Sequence, residues 1–588
     1  MIFVNDRATA RAIEADFLAR HTDTGDGDPD WLMKRAAHAV AEAVTALVHD
    51  DATAGSALVH ASGVYATALV HRGDTALVHR SPAFSPERVE SDDCLTLPRV
   101  CALVGGGDNG GDALYTLAYL AEQGFSCSAL LLAPKSHSRG RSVALEAGVQ
   151  VLDAYALVQE KLADQQDPIG GADGEQARSK LWALTDISSM ATALEAPIWI
   201  DGILGIGASG ELREPTRSFI DELAQLQQAR GVKVVAVDVP SGQFSDDGEV
   251  TGPVVSATTT VTMGLVKTPL VLPPSAYYAG TLQCVPLGFN AQESDVRVVS
   301  DQDIARTVIR PDWADHKYTR GVAGLVAGSE TYPGAGILTC LGASYSGVGM
   351  VRLDAPERVL DLVLTREPGI VGVGGRIQAG LVGPGMDDDT RVNALELAQF
   401  CVASHLPLIV DAGALSFVRE VATMGGLERV LLTPHAGEAE AMFSQWGQKR
   451  PRWWVEQCPV EAARLLAKLS GANVLLKGAS CILSTPHGEI VAVPRGSGWA
   501  GVAGSGWAGV AGSGDVLAGV LAGFAAQWGA KSERGSSTTS LVEALAAGAL
   551  VHARAGERAA SKVSVSGGPV TAIQIARCVS SVIGELLV

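Results

Sequence analysis

Two successive series of short, β-branched segments constrain the fold of this chain more than any other feature. Each segment ends in glycine, proline or serine, and stretches of helical periodicity such as ALYTLAYLAEQG lie between or beside them. The first series runs from residue 99 to about residue 290, and the second begins near residue 320. Because strands that alternate with helices form parallel sheets, the pattern predicts two α/β domains.

Composition is consistent with two globular domains. The chain has 588 residues, more than one core commonly serves, and 67 glycines without a Gly-X-Y period. A net charge of −19 disfavours partners such as nucleic acid or an anionic membrane. The nine cysteines form no Cys-x-x-Cys pair, and no signal peptide or membrane-spanning run is present. These features predict a cytoplasmic protein.

An Ala-Leu-Val-His repeat follows the helical pattern of residues 1–48. It places His49, His60 and His71 eleven residues apart, which is about three helical turns. A metal-binding stripe is one interpretation, but no cysteine or acidic partner accompanies the histidines at ligand spacing. A repeat-bearing insertion over residues 49–98 is therefore favoured.

Polar side chains cluster at three predicted strand ends of the first half. A glycine-rich turn carries Asp108 and Asn109, the next strand end carries Asp201, and a third carries Asp238 and Ser241. Carboxyl ends of parallel strands meet at one sheet edge, where ligands bind. Asn109, Asp201 and Ser241 offer oxygen ligands to a cation, and Asp238 could move a proton. Either Asp201 or Asp238 alone would equally fit a helix cap.

These motifs together resemble the NAD(P)H-hydrate epimerase domain. That family has Asn-Asn-Gly-Gly-Asp-Gly after a strand, then an Asp-Ala-x-x-Gly loop and an Asp-x-Pro-Ser-Gly strand end. The chain matches their order and spacing, with Asp108 in place of the first asparagine and Ala113 in place of the last glycine. An added carboxylate at Asp108 would repel an anionic dinucleotide.

The resemblance implies a Rossmann-like three-layer sandwich over residues 1–295. It further implies that Asn109, Asp201 and Ser241 hold K⁺ and that Asp238 is the catalytic acid/base. The residues implied to contact the hydrated nucleotide are Asp108, Asn109, Gly110, Gly111, Asp112, Gly205, Ile206, Gly207, Ala208, Ser209, Gly210, Glu211 and Asp238.

The second series ends in GSGDVLAGVLAGFAAQ, residues 512–527. Backbone amides at the start of a helix suit a phosphate, and Asp515 stands where it could deprotonate a hydroxyl that attacks a phosphoryl group. This arrangement resembles ribokinase-like phosphotransferases. The segment LLTPHAGEAEAMF adds His435 and Glu438, which alone would also fit a capped helix start.

In order, LVGPG, LLTPHAGEAEAMF, VLLKGAS and GSGDVLAG resemble the NAD(P)H-hydrate dehydratase domain. The chain departs from that family at Gly413, where a second aspartate is frequent, and at Ser480-Cys481, where two threonines are frequent. The resemblance implies a ribokinase-like three-layer sandwich over residues 296–588. In this sandwich Asp515 would be the base, and ADP with Mg²⁺, or alternatively ATP, would phosphorylate the hydroxyl of the hydrate before phosphate leaves.

The resemblance assigns further residues of this half to two ligands. Those implied to surround the hydrate are Ala335, Gly385, His435 and Asp515. Those implied to contact the nucleotide are Lys477, Gly478, Ala479, Ser480, Cys481, Gly512, Ser513 and Gly514.

Three hypotheses about function remain open from the sequence. The favoured one is a homo-oligomeric repair enzyme whose first half interconverts the R and S hydrates of NAD(P)H and whose second half dehydrates the S form. The second is a ribokinase-like kinase of a small alcohol with an N-terminal ligand sensor, although Thr433-Pro434-His435 argues against it. In the third, the first domain is only a binding module.

We predict that deleting residues 496–503, one of three near-identical glycine-rich copies, leaves dehydration largely intact. The resemblance leaves room for about one copy between EIVAVP and the final Gly-Ser-Gly-Asp, so one copy is surplus. Asp515→Asn should instead abolish dehydration, because it removes the base. Recovery of the reduced-nicotinamide absorbance from hydrated NADH and nucleotide measures both variants. A severe loss on deletion would contradict the prediction.

Overall fold

The computed structural model describes residues 1–20, 30–54, 98–164, 188–207, 212–372, 374–423, 425–494, 509–564 and 567–587. Most of the Ala-Leu-Val-His tract and the first two Gly-Ser-Gly copies lie outside the described residues. His49 lies inside them and is exposed on the helix Trp31–Ala54. No helix in these ranges has both the length and the apolar character needed to cross a membrane.

Strands and helices alternate along most of the described chain. The strands are Ile2–Phe3 (β1), Arg99–Val104 (β2), Ser126–Leu131 (β3), Gln150–Leu152 (β4), Ile198–Gly202 (β5), Lys233–Val237 (β6), Gly242–Phe244 (β7), Val250–Val254 (β8), Thr259–Met263 (β9), Thr281–Val285 (β10), Val296–Val298 (β11), Val322–Val326 (β12), Met350–Asp354 (β13), Val371–Gly372 (β14), Ala379–Val382 (β15), Leu408–Val410 (β16), Val430–Leu432 (β17), Asn473–Leu476 (β18), Cys481–Ser484 (β19) and Ile490–Val493 (β20). The α-helices are Arg7–Arg20, Trp31–Ala54, Asp108–Glu122, Ser138–Glu146, Ala154–Asp164, Ser188–Leu194, Thr216–Arg230, Asp301–Thr307, Pro333–Tyr345, Glu357–Leu364, Arg391–Ala403, Val418–Ala422, Ala436–Gln445, Arg452–Gln457, Pro459–Ser470, Ser513–Glu533, Leu541–Ser561 and Ala572–Leu586.

The first half contains a seven-stranded parallel sheet in the order β10-β9-β6-β5-β2-β3-β4. Alternate residues of each strand face opposite layers. Val100 and Ala102 of β2 pack in one core with the helices Trp31–Ala54 and Asp108–Glu122. Cys101 belongs to a second core on the other face. Because both faces are buried, these strands are almost continuously apolar, and the predicted three-layer α/β sandwich is confirmed.

The second half contains an eleven-stranded sheet in the order β1-β11-β20-β19-β18-β17-β16-β15-β12-β13-β14. Strands β12 to β18 are parallel to their neighbours, and β18, β19 and β20 form an antiparallel meander. One face packs on Ser513–Glu533, Leu541–Ser561 and Ala572–Leu586. The other packs on helices that include Arg391–Ala403 and Pro459–Ser470. The second predicted three-layer sandwich is likewise confirmed.

Strand β1 lies in the sheet of the second half although it begins the first half. It pairs antiparallel with β11 through Ile2↔Val298 and Phe3↔Arg297. The next residue but one, Asn5, turns back to the first half, where its backbone exchanges hydrogen bonds with Val266 and Thr268. The two sandwiches are thus joined through the first residues of the chain as well as through the connection near residue 295, which stays a predicted boundary.

Candidate active sites

The glycine-rich turn after β2 is tightly packed and opens directly into the helix Asp108–Glu122. A Cβ atom on Gly105 would collide with the backbone of Ile203, and one on Gly110 would collide with the carbonyl of Gly105. Asp108 lies exposed in the first turn of this helix, whereas Gly110 is buried. First-turn amides and the helix dipole favour an anion here, and the small residues allow it to approach the backbone.

Asn109, Asp201 and Ser241 converge at the ends of β2, β5 and β6, as predicted. Asp201 is fully buried, and its two carboxylate oxygens accept hydrogen bonds from the Ser241 hydroxyl at 2.5 Å and the Ser241 amide at 2.7 Å. Asn109 donates to the carbonyls of Leu204 at 3.0 Å and Val237 at 2.6 Å. Burial raises the pKa of Asp201 to about 6, against the lowering effect of its hydrogen bonds. In the described part of the chain, no lysine or arginine forms an ion pair with this carboxylate.

Asp238 forms a buried ion pair at the end of β6. It follows β6 with a left-handed backbone φ of 67°, which is uncommon for a non-glycine residue and is typical of functional sites. Its Oδ1 accepts hydrogen bonds from the Lys267 ammonium, from the Thr262 hydroxyl at 3.1 Å and from the Met263 amide at 3.1 Å. Both charged side chains are almost fully buried. The pair and its two further hydrogen bonds therefore hold the Asp238 side chain in a fixed orientation.

Asp238 acts electrostatically on two further carboxyl groups. Burial raises the pKa of Asp112 well above its usual range, and repulsion by Asp238 adds to this effect. Burial and the charge of Asp238 also raise the pKa of Glu14, on the helix Arg7–Arg20. On the same helix, the Arg11 guanidinium lies 3.5 Å from the position that a Cβ on Gly207 would occupy. The helix Arg7–Arg20 therefore lines the site. The order of the motifs along the chain does not indicate this contribution.

The loop after β5 is described only in part. Gly205, Ile206 and Gly207 lie within the described residues, and a Cβ on Gly205 would press on the Asn109 side chain. Ala208, Ser209, Gly210 and Glu211 lie outside them, so their predicted contacts with the hydrate stay predictions.

A second charged cluster lies at the carboxyl edge of the larger sheet. The Lys477 ammonium, after β18, lies 2.7 Å from Asp411, after β16, and 3.5 Å from Glu438. The Thr433 hydroxyl also donates to Asp411 at 2.7 Å. These two carboxylates raise the pKa of Lys477, although burial opposes them, so the ammonium stays charged. The Lys477 ammonium is therefore paired with carboxylates and is not exposed on the turn that follows β18.

His435 caps the helix Ala436–Gln445. Its Nδ1 accepts hydrogen bonds from the amides of Gly437 at 3.0 Å and Glu438 at 3.1 Å, while Glu438 accepts from the His435 amide at 2.8 Å. The capping interpretation of this motif is therefore correct. The cap uses only Nδ1, so Nε2 of the largely exposed ring stays directed away from the helix amides.

Asp515 lies in the first turn of the helix Ser513–Glu533. Burial foremost, and then the charge of Asp411, raise the pKa of Asp515 to about 6, while Lys477 lowers it. The Lys477 ammonium lies 3.8 Å from the position of a Cβ on Gly514. Within the described residues, the amides of Gly514 and Asp515 donate to no protein acceptor outside the helix, but that of Ser513 donates to Val510 at 3.1 Å. Within the predicted cradle Gly512–Gly514, the Gly514 amide is therefore available as a helix-terminal donor and the Ser513 amide is not; the next residue, Asp515, adds a second available amide.

The remaining predicted residues surround this turn. Ala335 contacts Gly385, because a Cβ on Gly385 would collide with that of Ala335, and Leu338 on the same helix borders Gly512. Lys477, Gly478, Ala479 and Ser480 connect β18 to β19, and β19 begins at Cys481. Cys481 is buried enough that its thiol pKa is raised.

Family models and relatives match both halves. Residues 29–269 match the model described as YjeF-related protein N-terminus, and residues 323–577 match the model described as NAD(P)H-hydrate dehydratase. The bifunctional NAD(P)H-hydrate repair enzyme Nnr of Mycobacterium tuberculosis (strain CDC 1551 / Oshkosh) is 33% identical over 402 residues, covering 67% of this chain and 72% of that protein. The Nnr of Dictyoglomus turgidum is 26% identical over 459 residues, covering 73% of this chain and 80% of that protein.

Solved structures also align with part of the chain. The ADP/ATP-dependent NAD(P)H-hydrate dehydratase from Bacillus subtilis, co-crystallized with ATP/Mg²⁺, is 21% identical with a TM-score of 0.40. The alignment covers 50% of this chain and 100% of that chain.

We predict that Lys267→Met lowers the free energy of unfolding by about 3–5 kcal/mol, because it leaves the buried Asp238 carboxylate unpaired. Urea denaturation followed by circular dichroism measures the change. Arg358→Met is the matched control, since it breaks an exposed ion pair to Glu330 at 3.4 Å and should change stability little. Equal stability of the two variants would contradict the assignment.

Proposed function

The chain belongs to the family of bifunctional NAD(P)H-hydrate repair enzymes, and from this premise we propose how its residues divide the two reactions. The first half epimerises the R and S hydrates of NAD(P)H, and the second half dehydrates the S hydrate at the expense of ADP. The observation that carries this division is that each half has its own buried carboxylate–ammonium pair at a sheet edge.

Epimerisation needs one group that donates a proton and one that accepts it. We propose that the hydroxyl of the hydrate leaves with a proton from a neutral carboxyl group, and that water returns on the other face. Asp238, which is paired with Lys267, takes the proton from the returning water. Glu14 or Asp112, whose raised pKa favours the protonated form, supplies the first proton.

We assign K⁺ to Asn109, Asp201 and Ser241. The support is the fully buried Asp201 carboxylate, which has oxygen-bearing neighbours and no cationic side-chain partner among the described residues. A buried charge without a counter-charge is costly, and a monovalent cation would compensate it. K⁺ would there neutralise Asp201 and stabilise the loop after β5.

We propose that dehydration begins at Asp515. Its carboxylate takes the proton of the hydroxyl, whose oxygen forms a bond to the terminal phosphoryl group of the nucleotide. The bridging phosphorus–oxygen bond of the nucleotide breaks in the same step, and AMP leaves when the nucleotide is ADP. The free amides of Gly514 and Asp515 and the Lys477 ammonium stabilise the transferring charge. Phosphate then leaves with the carbon–oxygen electron pair, and loss of a proton from the neighbouring carbon restores the ring double bond.

Mg²⁺ carried by the nucleotide fits this site. Asp411, Glu438 and Asp515 bring three carboxylates against one ammonium, that of Lys477, and this excess of negative charge suits a hard divalent cation. Mg²⁺ would there neutralise the phosphate charge of the nucleotide.

Separate loss of the two activities tests the division. We predict that Asp238→Asn abolishes conversion of the R hydrate to the S hydrate but leaves nucleotide-dependent dehydration of pure S hydrate within about twofold of wild type, because the pair lies in the first sheet. Purified epimers of hydrated NADH, supplied with ADP, are followed by the reduced-nicotinamide absorbance. Wild type that recovers neither epimer would overturn the function, and a stable phosphorylated product would indicate a kinase.

The rate of S-hydrate dehydration should fall as pH falls through about 6, because Asp515 must be ionised and its pKa is raised to about 6. Below that pH the expected loss is about tenfold per unit, measured at saturating nucleotide between pH 5 and 8. Asp411→Asn provides the control: removing a charge that raises the pKa of Asp515 should move the midpoint to lower pH. If the midpoint of the pH profile does not move in Asp411→Asn, the titrating group is the nucleotide and not Asp515.

A further inference from the structure

His552 contacts the start of the Ser513–Glu533 helix from a neighbouring helix. It lies within Leu541–Ser561, which packs beside the Asp515-bearing helix in the same core. Its Nε2 lies 3.3 Å from the Ser513 hydroxyl, across 39 residues of sequence. Ser513 is almost fully buried. This pairing connects the predicted phosphate cradle to a residue that no motif includes.

Ser513 can contribute to the cradle only through its side chain. Its amide already donates to the Val510 carbonyl at 3.1 Å, unlike the amides of Gly514 and Asp515. An amide with an internal acceptor cannot also point at a phosphoryl group. The hydroxyl is therefore the one polar hydrogen that Ser513 could offer to the transferring group.

The His552 ring is neutral at physiological pH. Burial foremost, together with repulsion from the Lys477 charge, lowers its pKa to about 4, although a hydrogen bond with the Ser513 backbone opposes them. A neutral imidazole has one N–H donor and one acceptor nitrogen. If Nε2 accepted a hydrogen bond from Ser513, the hydroxyl hydrogen would point at the imidazole ring. The lone pairs of the Ser513 oxygen would then point at the phosphate. If Nε2 instead donates to the Ser513 oxygen, the hydroxyl hydrogen is able to point at the phosphate.

We propose that His552 is a positioning residue for phosphoryl transfer: its Nε2–H donates to the Ser513 oxygen, so that the Ser513 hydroxyl donates to the transferring phosphoryl group. The proposal rests on the function assigned above to Asp515. Anion stabilisation favours this orientation, since an oxygen lone pair facing a phosphoryl oxygen would repel it. A charged imidazole is not needed, because the lysine already supplies the positive charge.

A double-mutant cycle tests the pairing. Ser513→Ala should lower kcat for S-hydrate dehydration on the order of a hundredfold, the usual effect of losing one anion-stabilising donor. His552→Leu should lower kcat at least about tenfold with little change in the KM for ADP, because the hydroxyl is misdirected rather than lost. In the Ser513→Ala background, His552→Leu should have no further effect. His552→Gln, whose amide N–H₂ takes the place of Nε2–H, should recover most of the loss.

R-to-S epimerisation is the internal control for folding, since it belongs to the other sheet and should stay unchanged in every variant. An equal effect of His552→Leu on kcat in both backgrounds would show a packing role and overturn the proposal. So would wild-type kcat in His552→Leu, or failure of His552→Gln to recover activity. Failure of the underlying function is distinguishable, because the wild-type protein would then not dehydrate the S hydrate at all.

Discussion

A buried ion pair between an aspartate and a lysine lies at the carboxyl edge of each sheet. Asp238 and Lys267 form it in the first half, and Asp411 and Lys477 form it in the second. Burial of two charges is tolerated only when their geometry is good and further hydrogen bonds complete it, and a threonine hydroxyl donates to each aspartate. Keeping these charges paired depends on the strand order and the turns, which bring each lysine to its aspartate.

The sequence could predict one residue of each pair, Asp238 and Lys477, but not its partner. Each of these two residues follows an apolar strand, and the carboxyl ends of parallel strands share one edge, so the position of each at the edge of its own sheet follows from the pattern. Lys267 and His552 have no such signal, because their contacts depend on strand order and helix packing rather than on local spacing. His435 shows a different limit of prediction from sequence. The motif Thr-Pro-His-Ala-Gly-Glu predicts both a helix cap and a residue of the active site, and in the structure Nδ1 of His435 forms the cap.

The first residues of the chain connect the two pairs mechanically. Strand β1 is held at the edge of the larger sheet by β11, and a two-residue strand is too short for periodicity to reveal. Asn5 then exchanges backbone hydrogen bonds with the residues on either side of Lys267. The counter-ion of Asp238 is therefore positioned partly by a segment anchored in the other sheet. Movement of that edge would act on the Asp238–Lys267 pair through these two backbone hydrogen bonds.

Distribution of charge explains how a protein with a net charge of −19 could accept an anionic dinucleotide. Asp108, the carboxylate that departs from the family motif, is exposed in the first turn of a helix, where the helix dipole favours negative charge. Asp112 and Glu14 have raised pKa values and so carry less charge than their number suggests. The proposed site would therefore place helix amides against the phosphates of the hydrate, and neutral or paired carboxyl groups against its uncharged ring. This separation would orient the substrate with its reacting carbon toward Asp238.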